Sequence, residues 1–462
     1  MDETKLRLRR DAELTEADGE VRISAPAGSL GLRGLDAGIA AALRVLAGGD
    51  AGETALAATV GEAGLLRWNL LVRRLARAGL LEYAAAGARL RPVGAGGVEP
   101  APTPPADTPI RLSRFAVVTA GDGVLTVRSP RSPAVVELSP AACGLLGALA
   151  SWTTPAELAA DGRARAPAQD QSQGQGQGWG QALRFLAAAG VLATGPEDDD
   201  LAKAQWHPRD LWLHAHSRGP RYTGRYGGTY AFTSRFDPVP ADPPPFTGER
   251  IELPRPDLEL LAKTDPSLTD TLERRRSLRE HDQDAPLTLA QLGELLYRSM
   301  RRRAVFTSPD GQELADRPYP SGGSVHELEV YPLIVSCQGA EPGLWHYDTA
   351  GHALELVSPP TPAVRALAER AKSAAQLTGD PQVVLTVTAR FGRVMWKYET
   401  IGYSLVLKHV GVLYQTLYLA GTAMDLAVCA LGGGDAADFA RASGLDYLTE
   451  GSVGELIVGS RR

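Results

Sequence analysis

TLERRRSLREHD, residues 271–282, gathers Arg274, Arg275, Arg276 and Arg279 around Ser277 in a chain that is acidic overall. A basic run at the end of a short helix has an ordinary reading as a solvated, charged surface. Two features point elsewhere. The serine lies inside the run, so a hydroxyl and several charge-assisted donors converge within about one turn, which suits the oxygens of a phosphomonoester. No acid is interleaved within the run, and Glu273 and Glu280 stand at its edges.

Upstream, Asp265-Pro266 reads as the capped start of the helix that delivers the arginines, with Leu268 and Leu272 as its apolar stripe. Downstream, Thr288 and Gln291 form a capping-box pattern opening LAQLGELLYRSM. Strand-like runs follow at LEVYPLIVSC, GLWHYD, VVLTVTA and GELIVG. Helices and strands thus interleave over 255–462 in an α+β pattern.

The 462 residues exceed one compact core and predict two to four domains. With 48 Lys and Arg against 54 Asp and Glu, a general attraction to nucleic acid or anionic membrane is not indicated, so any anion site is local. Cys143, Cys337 and Cys429 are far apart and odd in number, which predicts neither a disulfide framework nor a zinc site and fits a reducing compartment. The charged N-terminus, MDETKLRLRRDAELTEADGE, lacks the apolar core of a secretory signal, and a cytoplasmic location is expected. YSLVLKHVGVLYQTLYLAGTAMDLAVCAL approaches membrane-span length, but Lys408, His409, Gln415 and Asp425 interrupt it, and a long buried helix is expected.

Ahead of this region, EVRISAP and two helical periods, LDAGIAAALRVLAGG and LLRWNLLVRRLARAGLLEY, have the size and rhythm of a winged helix over 1–100. A second pass over 108–196 repeats it, opening on a hairpin in FAVVTAGDGVLTVRSP. LARAGLL at 75–81 and LAAAGVL at 186–192 fall at matching helix ends. PTPPADTP links the two copies, and the low-complexity PAQDQSQGQGQGWGQ reads as a loop in the second. Residues 200–254, rich in aromatics, glycine and proline, read as an irregular connector.

Further constellations could carry chemistry. RPYPSGGSVHELEVYP places Ser321 and Gly322 in a turn whose backbone can approach a flat ligand edge. Gly432 and Gly433 lie in a glycine run ahead of a helix that Asp435 can cap. Lys397 and Tyr398 stand side by side before the long apolar stretch, a surface amine and a core ring unless a cleft brings them together as a proton-transfer pair. His207, His214 and His216 suggest a metal, but no acid or cysteine recurs at ligand spacing, and no metal is expected. Arg67, Arg73, Arg74 and Arg77 could mark a DNA-recognition helix, but residues 1–100 hold 13 basic and 13 acidic side chains, without the footprint of duplex binding.

Taken together, RRRSLRE, RPYPSGGSVHELEVY, GLWHYD, WKYETIGYS, ALGGG and GELIVG resemble the FMN-dependent SagB-type peptide dehydrogenases of the nitroreductase-like superfamily, which oxidise thiazolines and oxazolines to thiazoles and oxazoles. The resemblance covers residues 206–462, and relatives with two winged-helix peptide-clamp units fit the tandem copies. It implies a nitroreductase-like FMN-binding domain in which Arg275, Arg276, Ser277 and Arg279 hold the phosphate and ribityl chain. Ser321 and Gly322 would meet the isoalloxazine edge, Gly432 and Gly433 would border its reactive face, and Arg461 would also reach the phosphate. It further implies Lys397 and Tyr398 as the catalytic pair and a homodimer. The substrate would be a precursor peptide with a leader, in company with a cyclodehydratase complex, and neither nucleic acid nor membrane would be a partner.

In such a reaction flavin N5 takes a hydride while a base removes the adjacent ring proton, and dioxygen reoxidises the flavin. Two other readings remain open from the residues: a general NAD(P)H-dependent nitro or quinone reductase, although no nicotinamide fingerprint is present, and a non-catalytic peptide-binding scaffold.

Overall fold

The computed structural model describes residues 3–25, 28–94, 96–160, 179–219 and 226–462. The chain divides into two compact units, Met1–Tyr226 and Gly227–Arg462. Most of the low-complexity loop, residues 167–178, lies outside the described residues, and its last three residues open the helix Trp179–Ala188.

Seven strands of the first unit form one antiparallel sheet in the order Ala51–Gly52, Lys5–Leu8, Leu81–Ala85, Ala88–Pro92, Ala134–Leu138, Val124–Arg128 and Val117–Gly121. EVRISAP contributes Glu20–Ala25 to a separate three-stranded sheet. The regions 1–100 and 108–196, expected as separate copies, are joined by the pairing of Ala88–Pro92 with Ala134–Leu138 and share one hydrophobic core. Val136 stands opposite Leu90 in that pairing, and both side chains are fully buried in the common core, so the two halves cover each other's apolar surface. The repeated helix ends take the same form. Gly79 and Gly190 adopt φ of 68° and 65°. Leu80 N–H reaches the Leu75 carbonyl at 3.0 Å, and Val191 N–H reaches that of Leu186 at 3.1 Å, the six-residue closure of a Schellman turn.

The expected connector is not uniformly irregular. Asp200 caps Leu201–Ala204, and His207, followed by Pro208 at the first helical position, caps Pro208–Ser217. From Gly227 onward its chain belongs to the second unit, contributing Gly227–Gly228 and Arg250–Glu252 to that unit's sheets.

The second unit is a three-layer α+β structure. Its antiparallel sheet runs Arg250–Glu252, Ala353–Ser358, Gly343–Asp348, Leu328–Ile334, Val383–Arg390, Glu450–Ser460 and Leu426–Leu431. Strand alternation sends Val383, Leu385, Val330, Leu456 and Val458 to one face, where Leu292, Leu295 and Leu296 of Leu289–Met300 and Val406, Leu413 and Leu417 of Gly402–Ala423 cover them. Val384, Tyr331, Leu333 and Ile457 point the other way, against Pro362–Ala375 and Ala436–Ser443. Each such buried aliphatic side chain contributes about 1.5–3 kcal/mol, so the covered sheet is a rigid platform for what its helices present.

The capping box at Thr288 and Gln291 forms, with both reciprocal hydrogen bonds. Two local expectations are corrected. Ser267, not Asp265, caps the arginine-bearing helix Leu268–Arg274, accepting from Asp270 N–H at 3.1 Å, because Asp265 is drawn into an ion pair with Arg298. The long apolar stretch is helical only over Gly402–Ala423. Asp425, at φ 55°, turns the chain, and Leu426–Leu431 is a strand whose two buried faces give it no readable period. No helix among the described residues is long and apolar enough to cross a membrane.

Candidate functional site

The helix Gly402–Ala423 organises the site in the second unit. Near its end, the Tyr418 hydroxyl accepts from Ala430 N–H at 2.8 Å and shares a hydrogen bond of 2.9 Å with Ser277 Oγ, in which either hydroxyl can donate. The Arg275 guanidinium lies 5.5 Å over the Tyr418 ring. Leu278 N–H donates to the Val428 carbonyl at 3.1 Å, pinning the arginine-rich segment to the strand Leu426–Leu431. Arg276 donates to the backbone carbonyls of Glu273 and Arg275. Among the described residues, no carboxylate pairs with Arg275, Arg276 or Arg279. Arg274 and Arg461, by contrast, both approach Asp425, at 3.6 Å and 2.6 Å.

Nine residues back along the helix, about 14 Å at 1.5 Å per residue, His409 holds the turn that contains Ser321 and Gly322. His409 Nε2 accepts from Gly322 N–H at 2.7 Å, so the ring proton resides on Nδ1, which lies 2.7 Å from the fully buried Glu327 carboxylate. Ser321 Oγ accepts from His326 N–H at 3.1 Å and lies 3.4 Å from Glu327. Gly323, Ser324 and His326 follow with φ of 65°, 54° and 41°, a concentration of left-handed backbone that the buried dyad holds in place.

Lys397 and Tyr398 come to this turn from the other side. A Cβ on Gly323 would lie 2.5 Å from Tyr398 Oη and 2.8 Å from Lys397 Nζ, so glycine is what admits both groups. Burial raises the Tyr398 phenol above its ordinary range, so it is a proton donor rather than a base at neutral pH.

The two clusters thus sit on one helix: Arg275, Arg276 and Ser277 about Tyr418, and Ser321, Gly322, Lys397 and Tyr398 about Gly323. Arg279 is exposed next to the first cluster, and Gly432 and Gly433 are exposed just after Ala430. Gly434 packs on the carboxylate of Glu455, which burial keeps protonated more readily than usual. The histidines have local roles: His207 caps its helix, His214 packs on Trp206 with ring centroids 5.4 Å apart, and His216 bonds the Trp212 carbonyl at 2.7 Å. No group of three or more His, Cys, Asp or Glu able to hold a metal occurs among the described residues. Sequence reasoning missed Tyr418, His409 and Glu327. Only His409 gave a signal, as a polar residue inside an apolar helix.

An open cavity of about 540 Å³ lies in the first unit, lined by residues 120–125, Pro140 and Cys143. Its side chains hold no comparable set of chemical groups.

Residues 272–460 match the nitroreductase family, and residues 110–223 match the cyanobactin oxidase ThcOx family. MJ1384 of Methanocaldococcus jannaschii, a protein named for a nitroreductase, is 28% identical over 192 residues, covering 40% of this chain and 85% of that protein. The microcin B17-processing protein McbC of Escherichia coli is 29% identical over 126 residues, covering 26% of this chain and 45% of McbC, so the match spans less than half of that relative. Among solved structures, a chain in the E. coli microcin synthetase McbBCD complex with truncated pro-MccB17 bound is 21% identical, with 57% of this chain and 98% of that chain covered at a TM-score of 0.33. A nitroreductase-type structure from Ralstonia eutropha JMP134 is 23% identical, with 49% and 98% covered at 0.36.

Proposed function

We propose that the chain is an FMN-dependent oxidoreductase that converts thiazolines or oxazolines in a peptide to thiazoles or oxazoles. The observation that carries this reading is the seating of Lys397 and Tyr398 on Gly323, along the same helix whose Tyr418 engages Ser277 within the arginine run. Matches to nitroreductase and ThcOx families, and the resemblance to McbC, support the reaction class.

The residues present suit FMN. Three guanidinium groups without a carboxylate partner among the described residues, and a serine hydroxyl, match a phosphate dianion. Arg275, Arg276, Ser277 and Arg279 would hold that end, with Arg461 at its margin, and Ser321, Gly322, Gly432 and Gly433 would lie along the ring system. Bound flavin supplies a hydride acceptor. Lys397 takes the proton from the azoline carbon, and the protonated Tyr398 phenol donates a hydrogen bond that orients the ring. The buried Glu327–His409 pair holds the Ser321–Gly323 turn against which both groups work.

The first unit, two winged-helix-like halves in this reading, would grip the leader of a precursor peptide. Its edge strand Val117–Gly121 is exposed along its length and, among the described residues, pairs on one side only, a form open to strand addition. Retention of the leader would raise the local concentration of successive rings. A homodimer in the cytoplasm, working beside a cyclodehydratase, completes the proposal.

Replacing Lys397 with Ala in the FMN-loaded protein should lower ring oxidation, read as loss of two hydrogens per ring by mass spectrometry, by about 100-fold or more. Unchanged oxidation would remove Lys397 from the chemistry.

A further inference from the structure

The chain between Gly227 and Asp242, expected as linker, is laid over the segment that carries Lys397. Gly227 and Gly228 pair with Glu399 and Tyr398. Tyr230 N–H donates to the Lys397 carbonyl at 3.2 Å, Trp396 Nε1 to the Phe236 carbonyl at 2.8 Å, Arg393 to that of Val239 at 2.8 Å and Arg390 to that of Ala241 at 2.9 Å. So many anchors along one short stretch leave it little freedom. At its centre Tyr230 adopts φ 51°, an unfavourable conformation for a bulky residue that its surroundings must enforce.

What that conformation achieves is the placement of a ring. The Tyr230 ring stands edge-on to Trp396, with centroids 5.8 Å apart at 90°. Lys397 Nζ lies 5.7 Å from the Tyr230 centroid and 5.4 Å from that of Tyr398, between two aromatic groups and above Gly323. Burial, and the Asp310 carboxylate on the loop between the strands Ala304–Thr307 and Glu313–Asp316, raise the Tyr230 phenol above its ordinary range, so the ring stands beside Lys397 as a neutral phenol. A lysine has four rotatable side-chain bonds and would otherwise sweep a wide volume.

We infer that Tyr230 is a positioning residue for Lys397: its ring face, with that of Tyr398, confines the amine to the space above Gly323 and shields it from solvent. The inference rests on the proposed role of Lys397 but concerns the amine's placement, which can be read without cofactor or substrate.

Tyr230→Leu keeps an apolar side chain but loses the π face, and Tyr230→Phe keeps the face and loses the hydroxyl. Each variant is treated with acetic anhydride, and acetylation of Lys397 is compared with that of the surface Lys263 by peptide mass mapping. Turnover of a thiazoline peptide is measured in parallel on FMN-loaded protein. Removing one of the two ring faces that cover the amine predicts that Tyr230→Leu raises relative Lys397 acetylation about five-fold, equivalent to about 1 kcal/mol of lost contact. The same variant should lower kcat about ten-fold or more, with KM changed less than about two-fold, and Tyr230→Phe should stay near wild type in all three. Unchanged Lys397 acetylation in Tyr230→Leu, or equal damage from both substitutions, overturns the inference. Normal labelling shifts with no turnover in any variant, wild type included, would uphold the placement and defeat the azoline reading instead.

Discussion

At the scale of single residues, Gly323 is where the site is most tightly determined. Its φ of 65° and the 2.5 Å and 2.8 Å distances from an added Cβ to Tyr398 Oη and Lys397 Nζ act together. Alanine there costs about 1–2 kcal/mol in backbone strain alone. The colliding atoms are the ends of side chains that can swing away, so the fold should survive while the pair is displaced. Gly323→Ala is therefore expected to unfold only slightly earlier in urea yet lose about ten-fold or more in turnover, and equal turnover would show that the pair does not work from above this glycine. The pairing of Ser321 and Gly322 with Lys397 and Tyr398 was legible as residue types and not as a place, since 75 residues separate them in the sequence. The partners that fix them, His409 and Glu327, were not legible because each has an ordinary reading alone: a polar interruption of a helix and an acid in a strand.

At the scale of elements, local chemistry was readable wherever a residue acts on its own backbone. Thr288 with Gln291, and Gly79 with Gly190, were identifiable because caps depend on neighbours within a few positions. Elements decided by distant partners were not. Asp265 has the form of a cap, but Arg298 takes its carboxylate and Ser267 closes the helix instead. Leu426–Leu431 reads as more helix because burial on both faces erases the strand period, and only its pairing with Glu450–Ser460 sets its conformation. Gly227–Asp242 looked like linker because its anchors are carbonyls accepting from arginine and tryptophan side chains more than 140 residues away.

For the whole molecule, buried histidines tie stability to pH. His346 is buried, which alone would favour its neutral form, but the carboxylates of Glu329 at 3.8 Å and Glu355 at 3.4 Å overcome that and raise its pKa to about 9. A raised pKa contributes stability fully below the unfolded value near 6.5, and that contribution is lost as pH rises through 9. Burial lowers His281 to about 4 and His326 to about 3, so their contribution is present above 6.5 and is lost as pH falls toward those values. Thermal stability should thus peak near pH 6.5. His346 should account for a decline on the basic side on the order of 3 kcal/mol, and His346→Gln should flatten that limb without altering the acidic one. Parallel melting curves for the two proteins from pH 6.5 to 10 would mean that His346 is not charged in the fold.

The central claim is that the arginine run beside Tyr418 binds the phosphate of a flavin. It is tested most directly by titrating the cofactor-free protein with FMN and with riboflavin, which differs by that phosphate alone, and following flavin fluorescence. Two charge-assisted hydrogen bonds of about 1.5 kcal/mol each predict that FMN binds at least about 100-fold more tightly than riboflavin, and that most of this preference disappears in the Arg275→Ala, Arg276→Ala double variant. Equal affinity for the two flavins, or a preference that survives the double substitution, would contradict it.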